Sequence, residues 1–466
     1  MYSTSFASFF NYGNKKKQMA QAQLKLFSPH DEAQCYLDSS RQGFFSILVA
    51  PSLSSAKRQQ SYRLAEMPTV LSGLDKTRDT WLSQAEFFRP NRRVVNLARI
   101  GLLFADIDSY RQDWAQGRSP ERLATDVLFF CREEGLPPPS ILVFSGRGLQ
   151  AKWLIEGALP RQALPRWNAC QRALVDRLAF AGADPAARDA SRVLRLINTV
   201  NTKSGEICRV VHVEPGEDGQ PIRYGFEWLA ETLLPIGRWD LESKKKARKA
   251  SSELKLVPGY HTGNLRPLNG RQLAWSRLED LRLLAELRGG VHEGERMLHL
   301  FWRLNFLLLS GATHSGGMFH EAVALARELD PSWGYSSSDL TTLYRKAQAY
   351  EAGERVEFNG KQFAPLYTPR NATLISIFGI TDQEQRSLST VISQEMALER
   401  RRERDRKRDE ARRRAVGEVD RQTYIEVAQN KKAQALVLRA QGLTVRAIAA
   451  RLGISKTAAA DYVAGG

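Results

Sequence analysis

The sequence predicts an α+β protein in three folded parts: a mixed strand-and-helix region, an all-helical region, and a small helical unit at the C-terminal end. Three observations predict it. Up to about residue 240, short apolar runs that read as strands (100–105, 141–144 and 151–155) alternate with stretches of helical period. From about 270 to 350 only the helical period remains. The last stretch sets helix starters and glycine breaks at the spacing of three short helices. A length of 466 residues suits about three units at roughly 150 residues each.

Composition narrows the class. Hydrophobic residues make up 42% of the chain, which excludes a wholly disordered protein. The 68 Lys+Arg against 51 Asp+Glu leave a net charge of +17, which points to a polyanion such as nucleic acid or an anionic membrane surface. No run approaches the roughly 20 apolar residues of a membrane-spanning helix. The opening MYSTSFASFFNYGNKKKQ places its apolar residues before its lysines, the wrong order for a secretory signal. Cys35, Cys131, Cys170 and Cys208 are far apart and form no CxxC pair, so neither a zinc ribbon nor a disulfide framework is expected. The expectation is a reduced, cytoplasmic, nucleic-acid-facing protein with no membrane partner.

Taken in order, residues 1–25 are polar and Gln/Lys-rich and read as a flexible N-terminus, followed by a first domain over 26–240. In GLLFADIDSY (101–110) an apolar strand ends in Asp106 and Asp108. Residues two apart on a strand share a face, so the two carboxylates emerge together as hard ligands suited to Mg²⁺ or Mn²⁺. The plainer reading is a strand end with two solvated or capping aspartates. A helix over 121–135 puts Leu123, Val127, Phe130 and Cys131 on one face, and 161–182 also has helical period. Between them, two strands flank Ser145-Gly146-Arg147-Gly148. This is a turn whose backbone N–H groups can approach a phosphate, or an ordinary hairpin.

Residues 182–205 supply Asp184 and Asp189 as further carboxylates, Arg192, Arg195 and Lys203 as cations, and Asn198 and Asn201 as amides. Arg192 and Arg195, three apart, suit a helical turn or loop that aims both at a triphosphate; the plainer reading is a basic surface loop. Residues 241–268 read as a basic linker and 269–370 as a helical module. In that module Met297, Leu298, Leu300, Phe301, Leu304, Phe306 and Leu307 are core candidates, and Arg296 and Arg303 are candidates to face nucleic acid. His292 and His299 have no metal-ligand spacing to a cysteine and read as structural or surface residues. Residues 371–425 form a charged spacer, with Glu403–Lys407, Asp409–Arg413 and Glu410–Arg414 four apart, that is either a solvated helix or a phosphate-tracking arm.

Over 426–466, a first helix runs to about Ala440 and breaks at Gly442. Thr444 caps a second helix, Gly453-Ile454 turns the chain, and Ser455 caps a third, with Ile448, Leu452, Ile454 and Val463 as the small core. No GxxxxGK[ST] occurs, so no P-loop motor is expected in this chain and any helicase is a partner protein of the host or the element.

Apolar-DID, then SGRGLQ before a strand, then Asp184 separated by ten residues from Arg195-Leu196 leading into NTVNTKSG, is similar to the ordered signature of the archaeo-eukaryotic primase superfamily. It resembles the branch carried by plasmids and other mobile elements as replication proteins, as does FFRPNRRVVNLARIGLLFADID (87–108). The resemblance covers roughly residues 80–215 well and the helical region to about 350 weakly. It implies an RRM-like primase/polymerase domain followed by the helical module of such proteins. Asp106 and Asp108 become metal ligands, with Asp184 the third carboxylate and Asp189 its runner-up. Ser145, Gly146, Arg147, Gly148 and Gln150 become the nucleotide-holding set, with Arg192, Arg195, Asn201 and Lys203 toward the phosphates. Two divalent ions (Mg²⁺ or Mn²⁺), NTP or dNTP substrates and a single-stranded template follow from it. Two departures stand out: Gln150 occupies a position commonly His, and Ile197-Asn198 replaces a frequent Pro-Gly.

The C-terminal segment resembles a helix-turn-helix of the recombinase and sigma-factor type. That likeness puts Thr444, Arg446, Ser455, Lys456 and Thr457 against double-stranded origin DNA. The leading expectation is a mobile-element replication protein that binds an origin and makes or extends a primer. The alternatives are a non-catalytic origin-binding initiator or regulator with a degenerate primase-like domain, and a repair-type nucleotidyltransferase acting at DNA ends.

Overall fold

The computed structural model describes residues 27–50, 56–234, 266–358, 360–415 and 421–464. The N-terminus over 1–25 and most of the 241–268 linker lie outside the described residues. The chain forms two compact units, Met1–Arg370 with Ser387–Val391, and Asn371–Arg386 with Ile392–Gly466.

The main sheet of the first unit is built from β1 (Phe44–Ala50), β2 (Arg58–Arg63), β3 (Asp79–Ser83), β4 (Ala85–Phe87), β5 (Leu97–Ile107), β6 (Ile141–Phe144), β7 (Leu149–Pro160), β8 (Val193–Arg195), β9 (Arg209–Val213) and β10 (Arg223–Tyr224). Among the described residues they form one sheet in the order β8-β3-β1-β4-β5-β7-β6-β9, with β2 on β1 and β10 on β7. Every pairing is antiparallel except β10 with β7. At its centre, β5, the helix Pro120–Glu133, the β6–β7 hairpin and the helix Leu164–Arg177 follow one another, with β7 inserted between β5 and β6. That is a split β-α-β arrangement.

Both central strands outrun their apolar signals. In β7, Leu149–Ile155 is buried and Glu156–Pro160 is not, yet the strand continues because Leu159 and Pro160 pair with Ile100 and Arg99 across a bulge in β5. Solvent-facing strand residues carry no apolar pattern to read.

The helix Pro120–Glu133 starts on Ser119, whose hydroxyl accepts the Arg122 N–H at 3.3 Å. It buries Leu123, Val127 and Cys131, while Phe130 is half-buried against Trp114 and Phe180. The helix Leu164–Arg177 is shorter than its 161–182 period, because 3₁₀ turns occupy Arg161–Ala163 and Ala179–Ala181. Its Trp167 indole donates to the Leu102 carbonyl at 2.9 Å. Its Gln171 amide accepts from the Phe104 N–H at 3.1 Å and donates to the Phe104 carbonyl at 2.6 Å. Side chains thus stand in for a neighbouring strand along the middle of β5.

The helices Arg266–Leu287, Arg296–Leu309, Ser315–Leu329 and Thr341–Glu351 follow, and then an antiparallel strand pair, Val356–Phe358 with Lys361–Phe363, so the 269–370 stretch is not helical throughout. Leu300, Leu304, Phe306 and Leu307 are buried, while Met297, Leu298 and Phe301 are half-buried. Arg303 does not face nucleic acid: it is 1% exposed, pairs with Glu328 at 3.0 Å and donates to the Leu281 carbonyl. Glu328 also takes Arg282, so a carboxylate on the next helix draws both guanidinium groups inward. Arg296 is paired with Asp330 at 2.8 Å. His299 is buried, and its pKa is lowered to about 3 by that burial and by the charges of Arg303 and Arg288.

Two further buried acids hold backbone N–H groups. Glu321 accepts from Val94 (3.3 Å) and Val95 (3.2 Å) at the turn that feeds β5. Asp280 accepts from the N–H and hydroxyl of Ser389, the N–H and hydroxyl of Thr390, and the Val391 N–H, all at 2.6–2.8 Å.

The second unit is helical: Asn371–Phe378, Asp382–Gln385, Gln394–Ala415, Arg421–Ala440, Val445–Leu452 and Lys456–Ala464. Gln394–Ala415 is mostly exposed and carries the Glu403–Lys407 pair at 2.7 Å; the side chains of Arg413 and Arg414 lie outside the described residues. In the last three helices the Thr444 hydroxyl accepts the Ala447 N–H, Gly453 takes a left-handed φ of 60°, and the Ser455 hydroxyl accepts the Ala458 N–H at 3.1 Å. Ala435, Leu438, Ile448, Ala449 and Ala459 are buried there, with Leu452, Ile454 and Val463 packed on them. Among the described residues no helix is long and apolar enough to cross a membrane.

Burial pushes the Glu321 carboxyl up to about 7 from its ordinary 4.5, against the two N–H groups and Arg93 that favour the anion. Between those values the folded state holds a proton that the unfolded chain has released, so rising pH costs stability across that window. Thermal unfolding followed from pH 4.5 to 7 should show this loss, up to about 3 kcal/mol. Glu321→Gln should flatten the slope relative to the parent protein.

Candidate active site

The site is built on the register of β5 and β7, which sets Asp106 opposite Gln150 and Ile107 opposite Leu149. The turn from β6 into β7 is closed by the Ser145 N–H on the Gly148 carbonyl at 2.9 Å and by the Ser145 hydroxyl, which accepts the Gly148 N–H at 3.3 Å. A Cβ at Gly148 would collide with the Ile107 carbonyl oxygen. Gly146 has φ 92°, and a Cβ there would lie 2.5 Å from the Cβ of Asn201. The Asn201 amide donates to the Ser145 carbonyl at 2.8 Å, and the Ser109 hydroxyl donates to the Arg147 carbonyl at 3.3 Å. The glycine turn is therefore pressed between the end of the carboxylate strand and the 201 loop.

On the other edge of β5, Ile107 bridges Ala183. The Asp108 N–H donates to Gly182 at 2.9 Å, and the Asp184 N–H donates to the Asp106 carbonyl at 2.8 Å. Asp184 is thus the backbone neighbour of Asp106, but its carboxylate closes a local turn on the Ala186 N–H at 2.9 Å. Asp189 is taken up by the Ser191 N–H and hydroxyl and by Arg192 at 3.2 Å.

A cleft of about 110 Å³ is lined by Asp106, Asp108, Ser145, Arg147, Gly148, Gln150, Arg195 and Asn201, together with Trp81, Tyr110, Val193 and Leu194. Gly146, Asp184, Arg192 and Lys203 are not among its lining residues. The Arg192–Arg195 segment is not a helical turn: Arg192 stands in irregular chain just before β8, which is extended and pairs with β3, so an odd spacing does not keep the two arginines on one face. Arg195 lies across from Trp81, with its guanidinium 4.7 Å from the ring centre, and pairs with Asp79. Asp79 also accepts from the N–H and hydroxyl of Thr202. Burial would raise its pKa, but Thr202 and Arg195 outweigh burial and hold it below the usual range. Asn198 takes φ 59°, alone among the described non-glycine residues in the left-handed region, a conformation asparagine tolerates and glycine prefers.

Burial, then the charges of Asp108 and Asp184, push the Asp106 carboxyl up to about 7, while Arg192 and Arg195 pull it down. Asp108 pairs with Arg111 at 3.1 Å. Gln150 is 2% exposed, and its side-chain carbonyl oxygen has no hydrogen-bond partner. Two carboxylates and an orphaned carbonyl oxygen around one cleft are a hard-oxygen set that fits Mg²⁺ or Mn²⁺, whose charge would relieve the carboxylate repulsion. Among the described residues no group of three His, Cys, Asp or Glu converges as a metal cage, so Asp184 completes no such set here.

Sequence reasoning did not single out Trp81, Asp79, Tyr110 or Lys57. Tyr110 closes the quoted GLLFADIDSY segment. Trp81 comes to the cleft through strand pairing, and Asp79 and Lys57, outside its lining, stand behind it on Arg195 and Trp81, placements for which no local spacing exists.

No profile of a known protein family matches the chain. A protein of Clostridium perfringens described as a replication protein is 28% identical over 336 residues, spanning 72% of this chain and 73% of that one. Among solved structures, the AEP domain of the cyanophage S-2L primase-polymerase is 16% identical, with 41% of this chain and 90% of that chain covered at a TM-score of 0.31. Primase RepB′ is 16% identical, with 69% and 94% covered at a TM-score of 0.28. Its catalytic domain in complex with initiator DNA is 14% identical, with 49% and 100% covered at 0.27. At such scores the superpositions carry no weight, and the fold stands on its own strand order.

Gly148→Ala should destabilise the protein by about 1–3 kcal/mol, because the obstacle is strand backbone rather than a movable side chain. Gly294→Ala, where a Cβ meets nothing within 4 Å, should stay within about 0.5 kcal/mol. Urea unfolding of the two variants tests the difference.

Proposed function

We propose that this chain is a replication protein of a plasmid or other mobile element, and that the cleft between β5 and the Ser145–Gly148 turn performs template-directed nucleotidyl transfer. One observation carries the reading: Asp106 and Asp108 line the same cleft as a glycine turn packed directly on their strand. The relative described as a replication protein supports the biological setting.

Two divalent ions, Mg²⁺ or Mn²⁺, would supply charge neutralisation on the reacting triphosphate and orient the attacking hydroxyl. Asp106 and Asp108 would hold them, with Asp184 brought in from the neighbouring strand segment. Ser145, Gly146 and Gly148 keep the turn close to the acids, and Arg147 at its tip meets phosphate. Gln150 offers its free carbonyl oxygen at the floor. No residue is needed as a covalent nucleophile. Substrates are NTPs or dNTPs on a single-stranded template, with duplex opening left to a helicase.

In the second unit, Thr444 and Ser455 act as helix caps that set the angle of the last two helices. Exposed Arg446, Lys456 and Thr457 then face double-stranded origin DNA, in the manner of a helix-turn-helix. A second reading, an origin-binding initiator or regulator without catalysis, is favoured by the Asp184 carboxylate being committed to its own turn.

Incubation with single-stranded template, labelled NTPs or dNTPs and Mn²⁺ should yield product that Asp106→Ala/Asp108→Ala abolishes. Product no greater than that of the double variant would leave the initiator reading standing. Arg446→Ala/Lys456→Ala should weaken duplex binding and reduce its salt slope by about two, without lowering untargeted primer synthesis.

A further inference from the structure

The cations around the cleft fall into two groups. Arg192 is closed onto Asp189 and Arg195 onto Asp79. Among the described residues, Lys57, Lys203 and Arg147 show no carboxylate at ion-pair distance. Charge brought to the site by a polyphosphate is therefore met first by these three.

Lys57 has the most definite placement. It lies just before β2, and its ammonium sits 4.2 Å from the centre of the Trp81 ring. A cross-strand row, Gln59–Leu48–Trp81–Arg195, runs over β2, β1, β3 and β8. It ends at the rim of the cleft that Asp106 and Asp108 line. Trp81 thus carries two cations, Lys57 and Arg195, within 5 Å of its ring centre.

Partial burial of the ammonium end and the positive charges of Arg195 and Lys203 lower the Lys57 ammonium below the ordinary lysine range, with Asp79 acting the other way. Several cations that share one acid repel one another until an anion arrives. On the opposite wall, the Arg147 guanidinium lies 4.3 Å from the centre of the Tyr110 ring. The carboxylates are therefore flanked on two sides by cations seated on aromatic rings.

We propose that Lys57, seated on Trp81, is a phosphate-binding residue of the nucleotide site and grips the polyphosphate of a nucleoside 5′-triphosphate opposite Arg147. This rests on the nucleotidyl-transfer reading of the cleft. Lys57 stands 40 residues before the start of the carboxylate strand in sequence, outside every motif, and reaches the site only through sheet pairing.

The test is equilibrium binding to the full chain with Mg²⁺ present, by calorimetry, using ATP, dATP and adenosine as probes. Lys57→Gln should weaken the preferred triphosphate about tenfold and leave adenosine unchanged, while Lys57→Arg should recover most of the loss. Lys57 is exposed, so neither variant disturbs a core. A Lys57→Gln protein that binds triphosphate as tightly as the parent overturns the proposal and leaves the cleft's assignment intact. Equal weakening of adenosine and triphosphate also overturns it, because the residue would then act on the shape of the site. A parent protein that binds neither ATP nor dATP overturns the nucleotidyl-transfer reading itself, and this proposal with it.

Discussion

The missing Cβ at Gly148 governs the geometry of the cleft. Its α-carbon sits against the Ile107 carbonyl, and no other residue type lets the hairpin turn approach the strand end this closely. From that contact follow the pairing of Ile107 with Leu149 and of Asp106 with Gln150, and hence the depth at which the first carboxylate is buried. Asn201 then closes over Gly146, and its amide fixes the Ser145 carbonyl. The acids, the turn and the 201 loop form one packed unit, and a shift in any one displaces the others.

A strongly basic chain uses its interior acids as joints. Glu321 holds two consecutive N–H groups at the entry to β5, Asp280 gathers five donors from Ser389–Val391, and Glu328 binds Arg282 and Arg303 together. Each acid is surrounded by donors of fixed direction, the condition under which a buried carboxylate holds a structure together. Arg282 and Arg303, drawn inward by Glu328, are out of reach of nucleic acid; the net +17 already sets such buried arginines against the buried acids, so a polyanion meets the cations left at the surface.

What could be read in the sequence was local. Two aspartates at strand spacing, a Ser-Gly-x-Gly turn, and hydroxyl residues before helices are patterns whose physics operates within a few residues, and the structure places Asp106, Asp108, Ser145, Arg147 and Gly148 around one cleft. What could not be read was created by pairing. Asp79 and Arg195 are 116 residues apart and meet through β3 and β8; Trp81 and Lys57 meet through the same sheet. Arg303 looks like any arginine beside an apolar stripe until Glu328 is placed opposite it. Asp184 sits where motif spacing puts it along the chain, but an N–H two residues ahead decides where its carboxylate is spent, and a spacing rule is blind to that.

The edge of β5 opposite β7 is not one continuous ladder. β4 serves its beginning, the Gly182–Asp184 segment serves its end, and the side chains of Trp167 and Gln171 fill the interval. A side-chain amide satisfies the strand's backbone groups but transmits no pleat. The segment bearing Asp184 therefore shares no continuous ladder with β4 along this edge. Its backbone hold on the strand end is the pair of bonds Asp108 to Gly182 and Asp184 to Asp106, so the place of the third acid rests on two hydrogen bonds rather than on the register of the sheet.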